Sequence, residues 1–197
     1  MTRDARITGG NSRRGWRAAA GIGVLLILLS CGPTMVTMRV DIFSFLSGDE
    51  SMLDYGTDPT IPGNGPEITI RSPVEVIPMP EEVNGITDIS ALEIAAVVAF
   101  RNETGQATVI YRAYFHSSDQ GIFETPPVID ESQVLETGTD LVREIVIEGD
   151  DRLLNLFEGE EISVAFETEI LPGGGSEDIK GSVELSDLVA EVTAVDE

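Results

Sequence analysis

Cys31 is the only cysteine in this chain of 197 residues, and His116 is the only histidine. Zinc, iron–sulfur and thiol chemistry therefore have no ligand set here. His116 stands beside Ser117 and Ser118. That adjacency is not a triad signature, because triad members are brought together from separate elements, and no Gly-x-Ser-x-Gly elbow occurs. It reads as a strand-end histidine in solvent. Paired carboxylates, the solution used by glycosidases, are abundant among 35 Asp+Glu, but nothing in the spacing selects two of them. Beyond the N-terminal segment the large polar aromatics are only Tyr55, Tyr111 and Tyr114, which counts against sugar binding. Gly173-Gly174-Gly175 lacks the Lys-Ser/Thr and helix start of a phosphate loop. Asn102-Glu103-Thr104 matches a glycosylation sequon but reads more simply as a turn. No catalytic residue, metal ligand or cofactor is assigned.

The setting of Cys31 is more informative. Five arginines (Arg3, Arg6, Arg13, Arg14 and Arg17) face one acid, Asp4, and an apolar run from Ala18 to Leu29 follows. A basic region, an apolar stretch of this length and a small residue, Ser30, before the break make a secretory signal. Leu28-Leu29-Ser30-Cys31 resembles the lipobox of bacterial lipoproteins, although Leu29 is larger than the residue usual at its position. The resemblance implies cleavage between Ser30 and Cys31 and lipidation of Cys31. It also implies a membrane-anchored lipoprotein of the cell envelope with its domain on the extracytoplasmic side. Gly32, rather than Asp, follows the cysteine, which by the same resemblance directs a diderm lipoprotein to the outer membrane. Two alternatives stay open, an uncleaved signal anchor and soluble secretion. Against the first, Gly32 and Pro33 interrupt an apolar stretch already shorter than the roughly 20 residues of a spanning helix. Ser12-Arg13-Arg14-Gly15-Trp16 also looks like a weak twin-arginine signal.

Cleavage after residue 30 leaves 34 acids against 7 bases, a formal charge of −27, with Lys180 the single lysine. Such a surface repels nucleic acid and anionic headgroups, so nucleic-acid binding is excluded. Acid excess with few lysines is halophile-like, a hydrated surface whose self-repulsion salt relieves. Acids cluster at 48–50, 148–151, 158–161 and 176–178. None of these runs has EF-hand spacing, so calcium remains a possible partner with no ligands named.

The elements are read from alternation. Val36, Met38, Val40 and Ile42 form a first strand, within residues 35–46. Residues 47–66 are rich in Gly, Pro, Asp and Ser and read as a loop or linker. Domain organisation is accordingly a signal peptide over 1–30, then 31–66 as lipidated N-terminus, first strand and linker, then a domain over 67–197. The first strand either joins that domain or belongs to a stalk. Ile68, Ile70, Val74 and Val76 form an extended stretch broken by Pro73, hence at an edge or across a bend. Ile94–Phe100 and Ala107–Phe115 read as a hairpin through Asn102-Glu103-Thr104-Gly105, its first arm central and covered on both faces. A helix over 90–100 is the competitor. Segments 141–147, 162–170 and 179–185 alternate. The first two are joined by a short helical crossover at 150–157 and the last two by a flexible hairpin loop at Pro172-Gly173-Gly174-Gly175. Residues 188–195 add a last strand.

The fold class is therefore all-β, an antiparallel immunoglobulin-like β-sandwich of seven or eight strands with one short helical crossover. With an anchor and no assembled chemistry, the expected role is a non-catalytic interaction or structural module with a protein partner in the envelope. Calcium- or salt-dependent adhesion is the alternative, and an envelope hydrolase the lesser one.

Overall fold

The computed structural model describes residues 34–46, 51–79 and 89–196. Two antiparallel sheets face one another. Sheet 1 contains β1 (Thr34–Asp41), β2 (Met52–Tyr55), β5 (Ile89–Thr104), β8 (Thr139–Glu148) and β10 (Lys180–Asp196), in the order β1-β10-β5-β8 with β2 also on β10. Sheet 2 contains β3 (Ile68–Arg71), β4 (Glu75–Pro78), β6 (Ala107–His116), β7 (Ile129–Leu135) and β9 (Glu161–Pro172), in the order β3-β9-β6-β7 with β4 also on β9. This is the expected sandwich. The strands number ten among the described residues: β2 and β7 add to the expected set, Pro73 divides one expected stretch into β3 and β4, and two expected segments join as β10.

Alternation puts one side of each long strand into the space between the sheets. On β5 that side is Leu92, Ile94, Ala96, Val98 and Phe100; on β9 it is Ile162, Val164, Phe166, Thr168 and Ile170. The outer side of β5 is not fully covered: Ala95 and Val97 are half-buried. Segments 179–185 and 188–195 are one strand, with a register irregularity between Leu185 and Asp187. Ser186 is the extra residue there, and its Oγ donates to Val97 O at 3.3 Å. Residues 52–55, inside the stretch read as a linker, pair with 181–184 of β10, and β1 pairs with β10 along its whole length.

Two connections read as hairpins are not. β5 pairs with β10 and β8, whereas β6 pairs with β9 and β7, so Asn102–Gly105 carries the chain from one sheet to the other. The glycine-rich segment after Pro172 likewise joins β9 of sheet 2 to β10 of sheet 1. A short turn with a positive-φ glycine, here Gly105 at φ 72°, serves either path. Buried Asn102 holds the crossing: its Nδ2 donates to Gly105 O at 2.8 Å, and its Oδ1 lies 3.2 Å from the Tyr55 hydroxyl. That asparagine is 1 % exposed, so the sequon does not present its amide to solvent.

The crossover between β8 and β9 is α1 (Asp151–Phe157). Asp150 caps it by accepting from the Leu153 N–H at 2.9 Å, and Leu153 and Phe157 are buried against the core. Pro73 separates β3 from β4 on the outer side of β9. It has no N–H to give, and the preceding Ser72 bridges the gap. Its N–H donates to Phe166 O and its Oγ accepts from the Phe166 N–H, both at 2.9 Å.

Inside the core, Tyr111 stacks on Phe166 at 6.0 Å between centroids and meets Phe100 edge-on at 6.5 Å. Among the described residues its hydroxyl and that of the facing Thr168 have no hydrogen-bond partner, and burial pushes the Tyr111 phenol well up. A buried hydroxyl without a partner carries a desolvation cost of about 1–3 kcal/mol. Tyr111→Phe and Thr168→Val should therefore each be neutral or raise stability, by up to about 1 kcal/mol in urea titration. A loss above that would show that these hydroxyls are satisfied in solution.

Candidate functional site

Among the described residues, the most developed polar arrangement lies on the outer face of sheet 2. β9 points Phe166, Thr168 and Ile170 inward, which turns Ala165, Glu167 and Glu169 outward. Register then fixes the neighbours: Glu167 sits between Arg71 of β3 and Arg112 of β6, while Ala165 sits beside Tyr114. Glu167 accepts from Arg71 Nε at 2.8 Å, Arg112 at 2.9 Å and the Tyr114 hydroxyl at 3.1 Å. Arg112 also reaches Glu169 at 2.7 Å and Asp130 of β7 at 3.4 Å.

Glu167 is only 5 % exposed, although it points away from the main core. The loop between β6 and β7 explains this. It brings Ile122 and Phe123 to form a second small cluster with Tyr114, Ala165 and Val74. Phe123 meets Tyr114 edge-on at 5.3 Å, and the Arg71 guanidinium lies 4.6 Å from the Phe123 ring centre.

This geometry has electrostatic consequences. Burial pushes the Glu167 carboxyl up, but hydrogen bonds from Arg71, Arg112 and Tyr114 outweigh it and hold the group below the usual carboxylate range. Burial and the neighbouring Glu167 push the Tyr114 phenol up to about 12. Glu67, at the mouth of the cluster, is raised by its hydrogen bond to Glu169. Near neutral pH the carboxylate stays ionised and the phenol stays protonated. Neither is poised to move a proton, so the cluster binds sheet, loop and charges together rather than forming an acid–base pair.

His116 ends β6 half-buried, a position away from full solvent exposure. Its Nδ1 accepts from the Ser118 N–H at 3.1 Å and lies 2.9 Å from the Ser118 carbonyl, and a neutral ring can serve only one of these. The Ser118 hydroxyl is turned to Asp119 at 3.4 Å and Gln120 N at 3.2 Å, so it does not face the imidazole. All three tyrosines are at most 4 % exposed. Among the described residues no three His, Cys, Asp or Glu side chains converge to hold a metal ion. Asp150 of one acidic run is a helix cap, and Glu177 of another lines a loop hollow with Glu136 and Thr137. Ser30 and Cys31 lie outside the described residues. The Glu167 cluster was not singled out from sequence. Its signal was Arg71, Arg112 and Glu167 at outward positions of three strands, which has no meaning until their register is known.

No family model matches the chain, and no curated protein sequence matches it. Among solved structures, the infectious bursal disease virus Gx strain is similar at 15 % identity and a TM-score of 0.40, covering 83 % of this chain and 37 % of the other. A VP2 subviral particle of the same virus is similar at 14 % identity and a TM-score of 0.38, covering 89 % and 40 %. This chain thus spans less than half the length of those proteins. Similarity at that level carries no inference about its role.

Proposed function

We propose that the chain is an envelope-anchored lipoprotein whose sandwich is a non-catalytic interaction or structural module. The observation that supports the second half is the Glu167 cluster. Among the described residues, the charged side chains that converge at Glu167 satisfy one another, with each guanidinium matched to carboxylates. The first half rests on the signal and lipobox resemblance around Cys31. β1 begins at Thr34, three positions beyond Cys31, so the lipid would be at most about 10 Å of chain from the sheet. Lipidation would hold the paired start of β1 and end of β10 next to the bilayer. β10, with 17 residues and about 3.3 Å per residue, would let its other end reach at most about 55 Å away. Each buried methylene contributes about 0.8 kcal/mol, so a diacylated cysteine would be retained on the membrane.

The test is labelled-palmitate incorporation and fractionation of the full chain against Cys31→Ser. Label and membrane fraction should both be lost in the variant, with the fold unchanged by circular dichroism. Equal membrane retention of an unlabelled Cys31→Ser chain would support the uncleaved anchor instead.

A further inference from the structure

Sheet 1 ends on β8, which pairs with β5 over ten consecutive positions without a bulge. Among the described residues no strand lies on its other side. The other edges among the described residues are shorter or broken: β1 has eight residues, β2 four and β7 seven, and β3 and β4 are separated by Pro73. Among the described residues β8 is thus the longest uninterrupted open edge, a place where a further strand adds without rearrangement.

The side chains along its outer face alternate with a strict pattern: Asp140, Val142, Glu144, Val146, Glu148. Val142 is 58 % exposed and Val146 63 %. Their cross-strand neighbours on β5 are Ala99 and Ala95, with Val97 beside Glu144, so the valines stand next to a floor of small side chains. On the inner side Arg143 is held by Gln133 at 3.2 Å and Glu131 at 3.9 Å of β7, which closes the gap between the sheets with polar groups. That arginine disfavours an indiscriminate apolar strand.

We propose that β8 receives an extended segment of another protein as an added strand. Its outward side chains would run basic, apolar, basic, apolar, basic. Backbone hydrogen bonds would supply attachment, and the alternation would set register, because a slip of one residue moves every side chain to the other face. A second copy of this chain is disfavoured on the same lattice. Antiparallel self-pairing would match Val142 with Val146, but would put Glu144 against itself and Asp140 against Glu148 twice. Basic residues turn each of those contacts favourable. The proposal rests on the interaction-module reading but not on the lipid.

The probe is a labelled peptide, Lys-Thr-Val-Thr-Lys-Thr-Val-Thr-Lys, titrated into the full chain by fluorescence anisotropy with amide exchange recorded in parallel. Expected are saturable binding and at least tenfold slower exchange within residues 140–148. Both should weaken at least tenfold in Glu144→Lys/Glu148→Lys, two exposed positions where folding is undisturbed, and in a same-composition peptide with its lysines in one block. Absence of saturable binding, protection elsewhere, or equal binding by the blocked peptide would overturn it, as would a self-associated chain by sedimentation. If a partner pulled from envelopes bound the double variant as well as the parent, the β8 assignment would fail while the interaction-module reading stood.

Discussion

Gly181→Ala should lower the stability of the domain by about 3 kcal/mol, since overpacking costs roughly 1–3 kcal/mol and a broken buried hydrogen bond adds to it. Gly181 lies on β10 where it faces Tyr55 of β2 on one side and Asn102 of β5 on the other. A Cβ there would overlap Arg101 O and the Tyr55 hydroxyl. Those two atoms are themselves hydrogen-bonded at 3.0 Å, so the methyl group would part them. Tyr55 is 1 % exposed, so its ring has little room to withdraw, and Asn102 Oδ1 at 3.2 Å would be left as the acceptor for its hydroxyl. At about 2–4 °C per kcal/mol for a domain of this size, the melting temperature should fall by roughly 6–12 °C. Gly174→Ala makes the contrast. It has open space for a Cβ, so only its φ of 87° opposes the change. Equal loss in both variants would show that chain flexibility, not contact, is what Gly181 supplies.

Glu167→Ala should cost about 2–3 kcal/mol. Breaking a buried ion pair costs roughly 3–5 kcal/mol. The lower figure applies because Arg71 is half-exposed and Arg112 keeps Glu169 and Asp130. The sign of the pH dependence follows from the lowered carboxyl. Folding holds Glu167 ionised more firmly than the unfolded chain does, so its contribution is complete above the ordinary carboxylate range, near 4.3. It is lost as pH falls from there through the lower folded value. Glu67 runs the other way, being raised by Glu169, but it is exposed and screened. Glu167→Gln should therefore narrow its gap to the parent as pH falls below about 4, measured by urea midpoints across pH 2.5–7. A constant gap would mean that Glu167 acts through its volume alone.

Much of the architecture was legible from periodicity, because burying one face of a strand imposes a repeat of two on the residues themselves. The alternation of β1, β5, β6, β8, β9 and β10, the cap at Asp150 and the break at Pro73 are local facts, readable without knowing what lies opposite. Ser186 hid because a single inserted residue shifts the alternation and makes one strand look like two. β2 hid because four residues between turn formers offer only Leu53 and Tyr55 on the buried side.

Pairing was not legible, for a different reason. Asn102–Gly105 would turn a chain back along its own sheet or send it to the facing one with equal ease, and sequence-distant packing selects the second. Glu167 meets Arg112 from 55 residues away and Arg71 from 96. Such contacts carry no periodic trace, since any outward position accepts a charge. What the chain alone determined was its acidity and which side chains of its long strands are buried, while Leu28-Leu29-Ser30-Cys31 gave a lipobox resemblance on which the proposed anchor rests. Only the tertiary structure decided which strands lie side by side, and with them the self-satisfied cluster at Glu167 and the open edge at β8. Burial is a property of each residue, whereas neighbourhood is a property of the whole packing.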